Sequence, residues 1–213
     1  FRENLTALLH TAAEHQVPVV LSTLAANLQF YPFRSTCDVS SLSPRQGLLE
    51  PQDHLEEGVN RYKEALEQAP DCANLHYELG RILYLQTRIE EARRAFERAR
   101  DLDRLPFRAP SAFNQIIRNL AASFPLGQVQ LSDAESTLQA ASKHGIIGSD
   151  LMTEYLHPTV KGHYLIAENM LKDLAQNPIS SSWGQADTTR LKSYESYAHE
   201  LNYNLPEQIL YRT

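Results

Sequence analysis

The chain has 213 residues, enough for one large domain or two small ones with a real core. Its 42% hydrophobic and 22% charged residues are ordinary for a globular protein, and a net charge of -6 argues against a nucleic-acid surface, which would carry clustered basic excess. No apolar run approaches membrane-spanning length, and none has the layout of a signal peptide. Cys37 and Cys72 lie in polar contexts without metal-ligand spacing, so they say little about redox compartment.

The first residues already sit at helical spacing. Phe1, Leu5, Leu8 and Leu9 make one stripe, which predicts a helix over 2–15 and a chain that begins inside or beside it, with an upstream portion expected. The run 17–24, Val-Pro-Val-Val-Leu-Ser-Thr-Leu, is apolar on both faces. That marks a strand buried between helical layers in a parallel sheet, with Pro18 tolerated at its start. Asn27 lies just beyond the strand's C-terminal end, the edge where open α/β sheets bind ligands. Residues 29–56 read as irregular, with an aromatic cluster at Phe30, Tyr31 and Phe33 that either lines a pocket or, more commonly, covers the core.

Residues 57–104 change character. Leu79, Gly80, Leu83, Ala92, Phe96 and Ala99 follow the small-and-large pattern of a tetratricopeptide repeat, and Tyr62, Ala65 and Pro70 match the second helix of a preceding one. His76 stands where the repeat usually has tryptophan, and Arg104 where it has its closing proline. One and a half units fall short of the roughly three that such arrays need alone, so these helices are expected to lean on something else. Along 88–104 the charges fall at Arg93–Glu97 and Glu90–Arg94, a solvated salt-bridged face rather than a binding site.

A helix is predicted over 110–123, a second short strand at 129–131, and a helix capped by Ser132 with Glu135 completing a capping box. Gly145 is expected to stop that helix. Glu154-Tyr155-Leu156-His157-Pro158 then forms a loop, and an amphipathic helix runs from Thr159 to Leu174 on the row Ile166, Met170 and Leu174. After a polar stretch containing Trp183 and Gly184, the tail turns helical around Leu191, Tyr194, Ala198 and Leu201 and is expected to dock.

About a hundred residues separate the two strands, far more than a parallel crossover needs. Helix 110–123 is therefore the expected crossover and 29–104 an insertion on the ligand side of the sheet. The expected domains are 1–28 with 105–176 as the α/β part, 29–104 as a loop plus helical insertion, and 177–213 as a helical tail. Two strands alone would leave an exposed edge, so further strands or another chain are expected to cover it.

Taken in order, the strand Val17–Thr23, Asn27-Leu28, Pro32-Phe33, Arg98–Asp103 with Phe107-Arg108-Ala109, and Glu154-x-x-His157 with Gly162 and Tyr164 are similar to the C-terminal part of bacterial SGNH (GDSL-like) hydrolases that carry tetratricopeptide repeats. The resemblance spans about residues 1–175. It implies a flavodoxin-like three-layer sheet with an inserted all-α segment, and a Ser-His-acid site of an esterase or acyltransferase, with water or a second alcohol as acyl acceptor, acting on an acylated small molecule or a carbohydrate ester. By that resemblance Asn27 is the oxyanion donor, His157 the general base and Glu154 the acid that orients it, where the family more often has aspartate. The resemblance implies no cofactor and no metal. The chain contains neither Gly-Asp-Ser nor Gly-x-Ser-x-Gly, so the nucleophilic serine is expected upstream; Gly148-Ser149-Asp150 has the wrong order, and His163 reads as a helix-surface histidine. The alternatives are a chance Glu-x-x-His surface loop at 154–157, and a non-catalytic module in which helices 57–104 bind a protein partner on an α/β scaffold.

Overall fold

The structure, a computed structural model, describes residues 1–37, 55–125, 127–176 and 187–203. Residues 29–37 and 55–56 of the expected irregular segment are therefore visible, while its middle and the stretch around Trp183 and Gly184 lie outside the described residues. By compactness the chain divides into one unit of Phe1–Ala26 with Ser111–Thr213 and another of Asn27–Pro110. Among the described residues it is mostly helical, with eight α-helices and one parallel sheet of two strands. The flavodoxin-like sheet implied by the resemblance needs more strands than these residues contain, because only two runs of the described residues form paired strands.

The first unit is built on that strand pair. Helix α1 (Arg2–Glu14) leads into β1 (Val19–Ser22), and after residues 27–110 the chain returns through α5 (Ser111–Ser123) to β2 (Val129–Ser132). The register pairs Val19 with Val129 and Leu21 with Leu131. Successive strand side chains point to opposite faces. One face joins Leu21 and Val129 to Leu9 of α1 and Ile117, Leu120 and Ala121 of α5 in a buried cluster. On the other, the Ser132 hydroxyl, fully buried, accepts a hydrogen bond from Asn169 Nδ2 at 3.0 Å on α7 (Val160–Gln176). The strand is shorter than the apolar run 17–24. Val17 and Leu24 are 50% and 42% exposed and fall outside the four paired residues.

Two side chains knit the strand ends to the helices. Leu24 N donates to Asn114 Oδ1 at 2.7 Å, and Asn114 Nδ2 returns a bond to Leu24 O at 2.9 Å. Asp133 caps α6 (Ala134–Ala141) by accepting from Ser136 N, receives the Thr23 hydroxyl at 2.8 Å, and holds Arg118 by two bonds of 2.9 Å. Burial alone would raise the Asp133 carboxyl; the Arg118 guanidinium and the capping N–H groups outweigh it and hold it far below its ordinary range. The cap is thus Asp133 rather than Ser132. The strand runs one residue further than its apolar pattern indicated, which moves Ser132 into the sheet and leaves the next oxygen-bearing side chain to start the helix. That helix also ends early, at Ala141, and Gly145 instead takes a positive φ of 69° in a 3-10 turn over Lys143–Gly145.

The described part of the tail, 187–203, docks within this unit. Tyr164 on α7 donates to Lys192 O at 3.1 Å and packs its ring on Tyr194 and Tyr197 of α8 (Tyr194–Glu200).

The second unit contains α2 (Leu55–Gln68), α3 (Ala73–Leu85) and α4 (Ile89–Asp101). Tyr62, Leu79, Gly80, Leu83, Ala92, Phe96 and Ala99 of the repeat pattern are buried, while Ala65 is half-buried and Pro70 exposed; Val59 and Leu75, outside that pattern, are buried beside them. Gly80 is required by contact rather than by its backbone angles. A Cβ there would stand 2.9 Å from the Phe96 ring, so the small residue is what lets α3 and α4 close on each other. His76 takes the place of the expected tryptophan with a bond between its Nε2 and Pro70 O at 2.9 Å. On α4, Arg93 pairs with Glu97 as expected, but Glu90 pairs with Arg93 three residues on instead of Arg94. The two cysteines form a disulfide with Cα atoms 5.6 Å apart, tying the loop after Asn27 to the N-terminal end of α3.

Candidate functional site

The loop carrying Glu154 and His157 is braced from below and from behind. Leu138, Ile147, Leu151 and Met152 form a fully buried cluster beneath it. Met152 and Pro158 make an antiparallel bridge, Thr153 N donates to His157 O at 2.8 Å, and Thr159 N donates to Leu151 O at 2.9 Å. The loop is therefore a short closed turn leading straight into α7. Gly162, in that helix's first turn, completes the brace. A Cβ at this position would lie 2.4 Å from Leu151 O and 2.9 Å from the Pro158 Cβ, so only hydrogen fits where the helix passes under the loop.

Within the turn the carboxylate is the organising group. Glu154 Oε2 accepts from Leu156 N at 3.0 Å, and Oε1 accepts from His157 N at 2.9 Å and from the His157 ring through Nδ1. Burial alone would raise the Glu154 carboxyl, but these donors, led by the backbone N–H of His157, hold it below its ordinary range. An acid that accepts from Nδ1–H fixes the neutral imidazole in one tautomer and turns Nε2 into its acceptor nitrogen. The ring is 73% exposed at its side chain, so it stands on the surface of this unit. His163 is a helix-surface histidine, as expected, its Nδ1 paired with Thr159 O at 3.0 Å.

Asn27 belongs to the other unit. It is 5% exposed, and its Oδ1 accepts from Gln29 N at 2.9 Å, which sets the amide within an Asx-type turn. Of the three residues singled out from the sequence, the structure brings Glu154 and His157 together in a bonded pair and places Asn27 in a buried turn of the unit that holds the repeat.

Two further residues shape that turn and were quoted from the sequence without a role. Arg108, 1% exposed, donates from Nη1 to Asn27 O at 3.0 Å and Phe30 O at 2.7 Å. Asp103, 6% exposed, accepts from Phe33 N at 2.8 Å and Arg34 N at 3.0 Å. Both lie after α4, in the charged stretch 98–108, where nothing in the local pattern sets them apart from Arg98, Arg100, Asp101 and Arg104. Among the described residues no cluster of His, Cys, Asp and Glu could hold a metal ion, and no helix is long and apolar enough to cross a membrane.

Comparison with known proteins locates one family. The family model of the tetratricopeptide repeat matches residues 52–109, the segment that contains α2, α3 and α4. No curated protein and no solved structure matches the chain. The repeat suggests a protein–protein interaction module, and the comparisons give the hydrolase resemblance no support.

Replacing Gly162 by Ala should cost about 2 kcal/mol of stability, because backbone rather than a flexible side chain stands in the way. Thermal unfolding followed by circular dichroism measures this; an unchanged melting temperature would show that α7 does not pass so close to the loop.

Proposed function

We propose that the segment 52–109 serves as a protein-binding repeat. The observation that carries this reading is the tetratricopeptide match over helices whose buried and small residues follow the repeat pattern. A partner would engage the side chains that the packed core leaves outside, among them Leu85, which is 57% exposed on α3. A photo-reactive residue placed at Leu85 or Arg81 should give one discrete protein adduct in the native host. The purified partner should then bind the wild-type chain and lose about tenfold in affinity to charge-reversed Arg81→Glu. Adducts formed only from probes at residues 1–26 or 111–203 would contradict the reading.

A second reading is favoured by a separate observation, the Glu154 carboxylate bonded to His157 Nδ1 on a braced turn. Here the first unit contributes the acid and base of a Ser-His-acid ester hydrolase. The wider flavodoxin-like sheet and the serine are supplied from outside these residues, and Asn27 is the oxyanion donor. In that mechanism the serine Oγ adds to the acyl carbonyl while His157 Nε2 takes its proton, then passes it to the departing alkoxide. Water, deprotonated by the same nitrogen, hydrolyses the acyl-enzyme and restores the serine. The substrate class is an acylated small molecule or a carbohydrate ester. With the complete protein, p-nitrophenyl acetate turnover should fall by about 10³-fold or more in His157→Ala. Turnover unaffected by that substitution removes the hydrolytic reading and leaves the protein-binding one standing.

A further inference from the structure

The two sulfurs of the Cys37–Cys72 disulfide differ in their surroundings. Cys37 is half-buried, whereas Cys72 is fully buried and is the residue that opens α3. While bonded to Cys37, the Cys72 side chain caps none of that helix's first N–H groups. One hydroxyl stands beside both sulfurs: Ser35 Oγ lies 3.6 Å from Cys37 Sγ and 3.5 Å from Cys72 Sγ. It accepts from Asn74 N, in the first turn of α3, at 3.3 Å. Neither sulfur of a disulfide carries hydrogen, so the Ser35 hydroxyl is the donor towards them. Thr36 adds a further tie, its Oγ1 donating to Asp71 O at 3.0 Å. Residues 35–37 are thus fastened to the start of α3 by the disulfide and by bonds at Ser35 and Thr36, all within the second unit.

We propose that this disulfide is a thiol–disulfide exchange site for a dithiol reductant, in which the Ser35 hydroxyl stabilises the leaving thiolate, and that its cleavage releases residues 35–37 from the start of α3. The reductant's thiolate attacks Cys37 Sγ, the less buried sulfur, and bonds to it as the bond between Cys37 and Cys72 breaks. The electron pair leaves on Cys72 Sγ, where the Ser35 hydroxyl and the N–H groups opening α3 receive the charge. The reductant's second thiolate then attacks its own sulfur in the mixed disulfide, and Cys37 leaves. Two electrons pass to the protein, the reductant becomes a disulfide, and the protons of its two thiols end on Cys37 and Cys72. The change is confined to the end of the loop. Arg108 and Asp103 still hold the main chain at residues 27, 30, 33 and 34. The turn released is the first of the helix that carries Arg81 and Leu85, but the exchange itself does not rest on the protein-binding reading.

The test uses the full chain, oxidised and under native conditions. Brief treatment with reduced glutathione, an iodoacetamide quench and mass spectrometry should find glutathione on Cys37 and the alkyl group on Cys72. Dithiothreitol should reduce the bond faster than the chain unfolds. Ser35→Ala should slow that reduction about tenfold, and Ser35→Thr should recover most of the rate. The sign separates the roles, because a hydroxyl that only braced the loop would, once removed, expose the bond and speed its reduction. On reduction, hydrogen exchange should rise at the amides of residues 35–37 and 73–75 and stay unchanged in α4. Glutathione on Cys72, an unchanged or faster reduction in Ser35→Ala, or reduction no faster than unfolding overturns the exchange site. Equal hydrogen exchange in the oxidised and reduced chains overturns the release. If Ser35→Ala does not fold, the position of the glutathione adduct on the wild-type chain decides the matter without any variant.

Discussion

The reciprocal amide bond between Leu24 and Asn114 is the closure on which the rest of the chain depends. The chain leaves the sheet just after β1 and comes back at α5, and a long segment lies between. Asn114, fully buried, supplies both an acceptor and a donor to the main chain of Leu24, standing in for a neighbouring strand at the point of exit. An unmatched pair of main-chain groups there would cost about 1–3 kcal/mol each. Beside it, Asp133 joins Thr23, Arg118 and the start of α6 through one carboxylate. The exit, the return and the next helix are therefore fixed together. A parallel strand pair can then tolerate a connection of almost any length, because loop closure costs rise only slowly with length.

The inserted unit solves a different problem. A single repeat with part of another has little core, and its helices carry three local contacts: the Gly80–Phe96 close approach, the Cys37–Cys72 disulfide, and the Arg108–Asp103 pair in the segment after α4. All three act on the same neighbourhood, the loop that begins at Asn27 and the helices it lies against.

Periodicity carried most of what could be read in advance. Helices at 2–14, 111–123 and 160–176 and the buried positions of the repeat follow from apolar spacing alone, since burial of one face is what makes them helices. Strand ends were less legible. Val17 and Leu24 are as apolar as their neighbours, but pairing stops where the partner strand stops, and no local property of residues 17–24 encodes that. The Glu154–His157 pair was legible because three residues of separation suffice to close the bond. Arg108 and the disulfide were not, because each depends on contacts across tens of residues that composition does not register.

The bonded pair on the braced turn sets the tautomer of His157. The carboxylate of Glu154 accepts from Nδ1, so the neutral ring should carry its proton there and leave Nε2 as the acceptor nitrogen, opposite to the preference of a free imidazole in water. Nitrogen-15 NMR of histidine-labelled protein above neutral pH reads this directly. The account predicts an Nδ1–H signal for His157 that reverts to Nε2–H in Glu154→Gln; an Nε2–H ring in the wild-type protein would contradict it.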